Sequence, residues 1–282
     1  MKKNTINKIA LLIGLTAVFT VFACVTAAFY INRDEIYYFL NKDTNISKTD
    51  PKKIPDTQYQ PDLAANGGVL PVLNSVFDPC GYFADIIFIG DSIMFGFDGY
   101  KNSIEFEGEK VLRDAFVAAS LGYGVNNAVS EIADNSINLT YGGTAMRPED
   151  IIAKRSEKYV FLCLGLNDLG FMTVLEYINA YRILIENIQA KNPGKTVVIL
   201  SITPLVAGQV SGNMDNDAIM RANDMLLEYA AGCGIQFLDW ASAIRGEDNT
   251  GLSGELSSDG YCHLKVEAYN RLVKYLLEHP VN

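Results

Sequence analysis

Uncharged positions are distributed along the chain in two unlike ways. From Ile9 to Ile31 no charged residue interrupts IALLIGLTAVFTVFACVTAAFYI, a run long enough to cross a hydrocarbon core of roughly 30 Å as a single helix. Lys2, Lys3 and Lys8 precede it, and Arg33, Asp34 and Glu35 follow it. The positive-inside bias therefore predicts that residues 1–8 stay in the cytoplasm, that residues 9–31 form a signal anchor, and that the remainder lies outside the cell membrane. Cleavage as a signal peptide, with secretion, is the alternative, although the apolar core of such a peptide is normally only about 7 to 15 residues. Bulky Phe22 and the continuation of the run past Cys24 make that cysteine a residue of the membrane helix rather than part of a lipoprotein cleavage box. Residues 32–68 are polar, lack periodicity and carry Pro51, Pro55 and Pro61, the pattern of an extended stalk.

Residues 69–282 read as one folded domain in which short apolar runs alternate with segments of helical period. The runs Asp85 to Gly90, Ala115 to Ser120, Tyr159 to Gly165, Thr196 to Ile202 and Ile235 to Trp240 are rich in β-branched and aromatic residues. Several are almost wholly apolar, as parallel strands buried on both faces must be. Between them, Thr173 and Glu176 form a capping box, and Val174, Ile178, Tyr181, Ile185 and Ile188 recur on one helical face until Pro193-Gly194. A second helix carries Ile219, Ala222, Leu226 and Tyr229 and is predicted to stop at Gly232; a third carries Ala268, Tyr269, Leu272, Val273 and Leu276. Alternating strands and helices imply right-handed βαβ units, hence an α/β fold, a three-layer α/β/α sandwich around a parallel sheet of about five strands.

Composition narrows the function. With 49% apolar residues the chain can build a sizeable core, and a net charge of -10 provides no field to attract a phosphate backbone, so no nucleic-acid partner is expected. The five cysteines show no CxxC spacing, and His263 and His279 are the only histidines, so neither a zinc site nor a bound cofactor is expected.

In a parallel sheet the chemistry gathers beyond the carboxyl ends of the strands. The first strand runs into Gly90-Asp91-Ser92, which puts a hydroxyl at that edge after a glycine that permits a tight turn. The second ends in Ser120-Leu121-Gly122 and the third in Gly165-Leu166-Asn167-Asp168. A serine, a glycine N–H and an Asn amide, each after a different strand, are the parts of an oxyanion hole. The serine needs a base. His279 sits in the terminal tail, whereas His263 lies in Ser258-Asp259-Gly260-Tyr261-Cys262-His263-Leu264, just before the last helix, with Asp259 near enough to orient its ring.

The runs FIGDSIMFG, SLG, LGLNDLG and SDGYCHL, in this order and covering roughly residues 80 to 280, resemble the SGNH (GDSL-type) esterases and lipases. The resemblance implies a flavodoxin-like sheet, with Ser92, Gly122, Asn167 and His263 as the four named residues and Asp259 as the triad acid. Ser92 and its own N–H, Gly122 and Asn167 would form the oxyanion hole, with Asp91 and Asp168 as supporting residues. Ser201-Ile202-Thr203-Pro204-Leu205 resembles the family's turn after the fourth strand. Two departures stand out. Three residues rather than two separate Asp259 from His263, and Gly124 or Gly142 could take the place of Gly122. A glycine bulge at Gly260 would let the Asp259 carboxylate reach the ring despite the extra residue.

The expected function is that of a membrane-anchored extracytoplasmic serine esterase. It would cleave acyl groups, O-acetyl first, from carbohydrate or cell-wall polymers, taking an acylated glycan or small molecule as substrate and the membrane as partner through its N-terminal helix. The alternatives are a lipase, lysophospholipase or thioesterase acting on acyl chains, and a noncatalytic envelope protein that binds carbohydrate.

Overall fold

A computed structural model describes residues 78–246 and 250–281. The expected membrane helix at 9–31, the stalk at 32–68 and the first residues of the domain lie outside the described residues. Among the described residues no helix is long and apolar enough to cross a membrane.

Five strands form one parallel sheet: β1 (Ile86–Gly90), β2 (Phe116–Ala119), β5 (Tyr159–Cys163), β6 (Thr196–Leu200) and β7 (Gln236–Leu238), in the order β2-β1-β5-β6-β7. Each coincides with an apolar run read from the sequence. The order is that of a doubly wound, flavodoxin-like sheet. Every residue of β1 and β5 is buried, as is required of strands covered on both faces.

The reversal of strand order at β1 distributes the helices. A right-handed crossover from β1 leftward to β2 puts α2 (Ser92–Tyr100) on one face. The rightward crossovers put α3 (Val125–Val129), α4 (Pro148–Ile152), α5 (Val174–Lys191) and α6 (Asn216–Cys233) on the other. The last helix, α7 (Val266–Glu278), returns to the face of α2 after a 3₁₀ turn at Trp240–Ile244. An aromatic cluster fills that layer. Phe97 of α2 meets Phe88 of β1 at 5.1 Å between ring centroids, Tyr269 of α7 at 5.9 Å and Trp240 at 6.5 Å. On the opposite face α5 ties its tyrosines to β5 and the residue after it, Tyr177 Oη donating to the Leu164 carbonyl at 2.7 Å and Tyr181 Oη to that of Leu162 at 3.3 Å.

Three local features depart from the sequence reading. Helix α6 runs past Gly232 to Cys233, because the residue with left-handed geometry is Gly234, at φ 66°. A short α1 (Pro79–Ala84) precedes the sheet. A separate antiparallel hairpin, β3 (Leu139–Tyr141) and β4 (Thr144–Met146), turns at Gly142-Gly143, with φ of 59° and 80°. Two successive glycines at positive φ are what a two-residue hairpin turn requires, a signal that the sequence reading did not use.

The capping box is formed as read: Glu176 N–H donates to Thr173 Oγ1 at 3.3 Å, and Thr173 N–H to Glu176 Oε2 at 2.9 Å. Thr173→Ala, which removes one half of it, is expected to lower unfolding stability by about 1 kcal/mol in urea titration without changing the slope. An unchanged midpoint would mean that the box contributes nothing.

Candidate active site

Gly90 ends β1 and lies level with Ala119 of β2 and Cys163 of β5, so three neighbouring strands release their chains at one edge. The glycine is required by space rather than by a turn. Its φ is not in the left-handed region, but a Cβ there would overlap Met94 and lie 2.8 Å from the Cys163 carbonyl oxygen. Asp91 caps α2, its Oδ1 accepting the Ile93 N–H at 2.9 Å, and Ser92 becomes the first residue of the helix.

The structure brings together the serine, the histidine and the aspartate singled out in the sequence. His263 Nε2 lies 3.1 Å from Ser92 Oγ, and His263 Nδ1 lies 2.5 Å from Asp259 Oδ2. Because Nδ1 faces a carboxylate, it carries the ring proton, which leaves Nε2 as the acceptor toward Ser92. The extra residue between Asp259 and His263 is absorbed at Gly260, whose φ is 72°. The carboxylate itself organises the loop: Oδ1 accepts the N–H groups of Tyr261 at 2.8 Å, Cys262 at 3.1 Å and His263 at 3.2 Å, and the Ser257 hydroxyl at 3.1 Å. Burial would raise the pKa of Asp259, but these donors, led by the His263 side chain, overcome it and bring the pKa down to about 2. Asp259 is thus held as the carboxylate near neutral pH.

The loop is held from two sides. Val206 N–H, just past the turn after β6, donates to the Tyr261 carbonyl at 2.7 Å. Buried Tyr269 of α7 donates from its hydroxyl to the Ile93 carbonyl at 2.9 Å, joining the helix after the histidine to the helix that begins with the serine. Gly96 makes room for that hydroxyl, since a Cβ there would overlap it. Neither Tyr269 nor Ser257 was singled out from sequence. Tyr269 was legible only as a residue on an apolar helical face.

Gly122 has φ 73° and lies half-buried in the loop after β2. Of its two rivals, Gly124 donates its N–H to Asn127 Oδ1 at 2.9 Å, and Gly142 sits in the exposed hairpin turn. Asn167, after β5, donates from Nδ2 to the Tyr123 carbonyl at 3.0 Å. Asp168 turns inward, with none of its surface exposed, and caps α3 by accepting the N–H groups of Val125 at 2.8 Å and Asn126 at 3.0 Å. Burial pushes its carboxyl above the ordinary range, partly offset by those two donors.

Asp91 and Asp168 are two buried acids beneath one edge of the sheet. Burial, and the neighbouring charge of Asp168, push Asp91 up to about 7 in spite of its Ile93 N–H partner. The donor atoms of Asp259, Cys262 and His263 lie within 4.8 Å of one another, a spacing open to a metal ion. Both His263 nitrogens and Asp259 are already engaged in the chain of hydrogen bonds to Ser92, and burial and the charges of Asp259 and Asp91 push the Cys262 thiol up to about 12.

A sequence model of the GDSL-like Lipase/Acylhydrolase family matches residues 88–271, from the middle of β1 into α7. No curated protein sequence matches the chain. Among solved structures, a Streptococcus pneumonia protein described as a platelet activating factor superposes with a TM-score of 0.51 at 20% identity, covering 73% of this chain and 86% of that one. A Bacteroides fragilis protein described as an acylhydrolase gives 0.50 at 17% identity, covering 69% and 85%. A GDSL-like lipase from Bacteroides thetaiotaomicron gives 0.49 at 16%, covering 69% and 86%. At such identities the likeness is one of fold.

The raised pKa of Asp91 has a consequence for stability. Between the ordinary carboxylate value of 3.8 and about 7, the folded state holds a proton that the unfolded state has lost, so stability falls as pH rises through this window. Asp91→Asn keeps an oxygen for the Ile93 N–H and removes the buried charge. Its thermal midpoint is expected to exceed that of the wild type around pH 8 and to approach it around pH 4. A variant less stable than the wild type at the higher pH would contradict this account.

Proposed function

Since the chain belongs to the GDSL-like Lipase/Acylhydrolase family, a family of serine ester hydrolases, we propose that it cleaves an acyl ester with Ser92 as nucleophile, His263 as base and Asp259 as the acid that orients it. The observation that carries this reading is the unbroken chain Ser92 Oγ, His263 Nε2, His263 Nδ1, Asp259 Oδ2, at 3.1 and 2.5 Å. As Ser92 Oγ attacks the acyl carbonyl, Nε2 takes the hydroxyl proton, and the Asp259 carboxylate stabilises the imidazolium across Nδ1. The oxyanion is received by the Ser92 and Gly122 N–H groups and by the Asn167 amide hydrogen not spent on Tyr123. His263 returns its proton to the leaving alcohol, and water activated at Nε2 then releases the acid from Ser92.

For the substrate, our reading is an O-acetyl ester on a carbohydrate or cell-wall polymer. Support comes from the openness of the site: the His263 side chain is 47% exposed and that of Asp259 35%, so a bulky chain can approach the triad. The outward topology expected for residues after 31 would present the site to such polymers. A second reading, an acyl chain longer than acetyl, is favoured by Leu121 and Phe171, which are 58% and 64% exposed on the loops after β2 and β5. The hydrogen-bonded triad and the family together argue against a noncatalytic carbohydrate-binding role.

Ser92→Ala is expected to abolish hydrolysis of p-nitrophenyl acetate and labelling by a fluorophosphonate, while Asp259→Asn should lower kcat on the order of a thousandfold or more by favouring the wrong ring tautomer. Labelling of Ser92→Ala at equal yield would refute the nucleophile, and a defect in Asp259→Asn within about tenfold would remove that residue from the mechanism. Acetylated xylan assayed beside an octanoyl ester separates the two substrate readings.

The signal anchor is part of the proposal, resting on the uncharged run from Ile9 to Ile31. Protease added to intact cells is expected to release a soluble esterase by cutting between residues 45 and 65 of the stalk. A domain protected until the membrane is opened would rule out this orientation.

A further inference from the structure

Asn167 and Gly122 lie on different loops, and nothing in either strand fixes the distance between them. The stitching comes from one buried side chain. Asp168 is anchored in its own loop by its backbone, its carbonyl accepting the N–H groups of Phe171 at 3.1 Å and Met172 at 2.9 Å. Its carboxylate crosses to the other loop and takes the Val125 and Asn126 N–H groups. Gly124 is shaped to receive it, since a Cβ there would lie 2.5 Å from Asp168 Oδ1 and 2.7 Å from Oδ2. A third bond runs the same way, from Asn167 Nδ2 to the Tyr123 carbonyl at 3.0 Å. A carbonyl oxygen can only accept, so this bond also decides which end of the Asn167 amide faces it. One amide hydrogen is spent, and the direction of the other is set.

Burying a carboxylate without a cationic partner is costly, and a neutral residue would serve better if a helix cap were all that was needed. We propose that Asp168 is a positioning residue, a latch that fixes the loop carrying Gly122 against the loop carrying Asn167 and so sets the spacing of the two oxyanion donors. The inference rests on the hydrolase reading above. It assigns Asp168 no contact with substrate. Its effect falls on the charged tetrahedral state, which needs both donors at once, and not on the uncharged ester, which does not.

Asp168→Asn retains the volume but turns one accepting oxygen into a donor facing an N–H. On p-nitrophenyl acetate it is expected to lower kcat tenfold or more with KM within about threefold. It should weaken by a similar factor the binding of a phenylboronic acid, whose boron accepts the Ser92 oxygen to form a tetrahedral anion while His263 holds the proton. Gly124→Ala, which displaces the carboxylate from the other side and leaves its charge intact, is expected to reproduce both effects and serves if Asp168→Asn does not fold. A wild-type kcat and boronate affinity in either folded variant overturns the latch alone, as does an equal loss in kcat and kcat/KM for substrate without any change in boronate affinity. A wild-type protein that neither turns over esters nor binds the boronate overturns the hydrolase reading, and the latch with it.

Discussion

A strand with no exposed surface on either face, paired on both edges, has one way out: through its carboxyl end. β1 is such a strand. Ile86, Ile87, Phe88 and Ile89 are wholly buried between β2 and β5, and Gly90 is crowded by Met94 and the Cys163 carbonyl. The chain leaves at a point that cannot move without opening the core, and Asp91 caps a helix at once, so Ser92 inherits its position from a strand buried on both faces. The loops after β2 and β5 arrive beside it because those strands are its neighbours. The remaining participants come from far away in the chain and have to be tied down by hydrogen bonds: the Tyr269 hydroxyl to the Ile93 carbonyl, the Val206 N–H to the Tyr261 carbonyl, and the Asp168 carboxylate to the N–H groups of Val125 and Asn126.

Three aspartates at this edge show how environment divides one side-chain type into different parts. Asp259 is partly exposed and surrounded by donors, and is held near 2; Asp91 is buried with a single donor and an acidic neighbour, and is raised to about 7. Asp168, equally buried, has two backbone donors that offset part of the same upward pressure. The carboxylate proposed to stabilise an imidazolium is the one the fold keeps ionised. The other two act as helix caps, and their burial draws on stability that the aromatic layer around Phe97 supplies.

Much of this could be read from the sequence, and the reason is local. Strands buried on both faces are written as apolar runs, and the parallel sheet and its five members followed from them. The order of Ser92, Gly122, Asn167 and His263 was legible because each follows a strand or precedes a helix. Asp259 and the glycine after it were legible as a turn, and Gly260 does take the positive φ that the extra residue demanded. What stayed hidden depends on contacts between distant segments. Gly124 has its N–H taken by Asn127, Gly142 lies in a hairpin turn, Gly90 is explained by a methionine one turn along and by a neighbouring strand, and Gly96 by a tyrosine of the last helix. The stop of α6 at Cys233 rather than at Gly232 shows a lesser limit, since two nearby glycines offer the same local signal and only one of them adopts the left-handed geometry.

The proposed base, His263, stands 171 residues after the proposed nucleophile, Ser92, and α7 closes on the helix of the serine through Tyr269 and Ile93. On the proposed mechanism, a chain made from its amino end would hold Ser92 before the residues that supply its base exist. During that interval the serine would be chemically silent toward esters. Competence would come only when α7 docks, so one contact would both complete the core and switch on the chemistry.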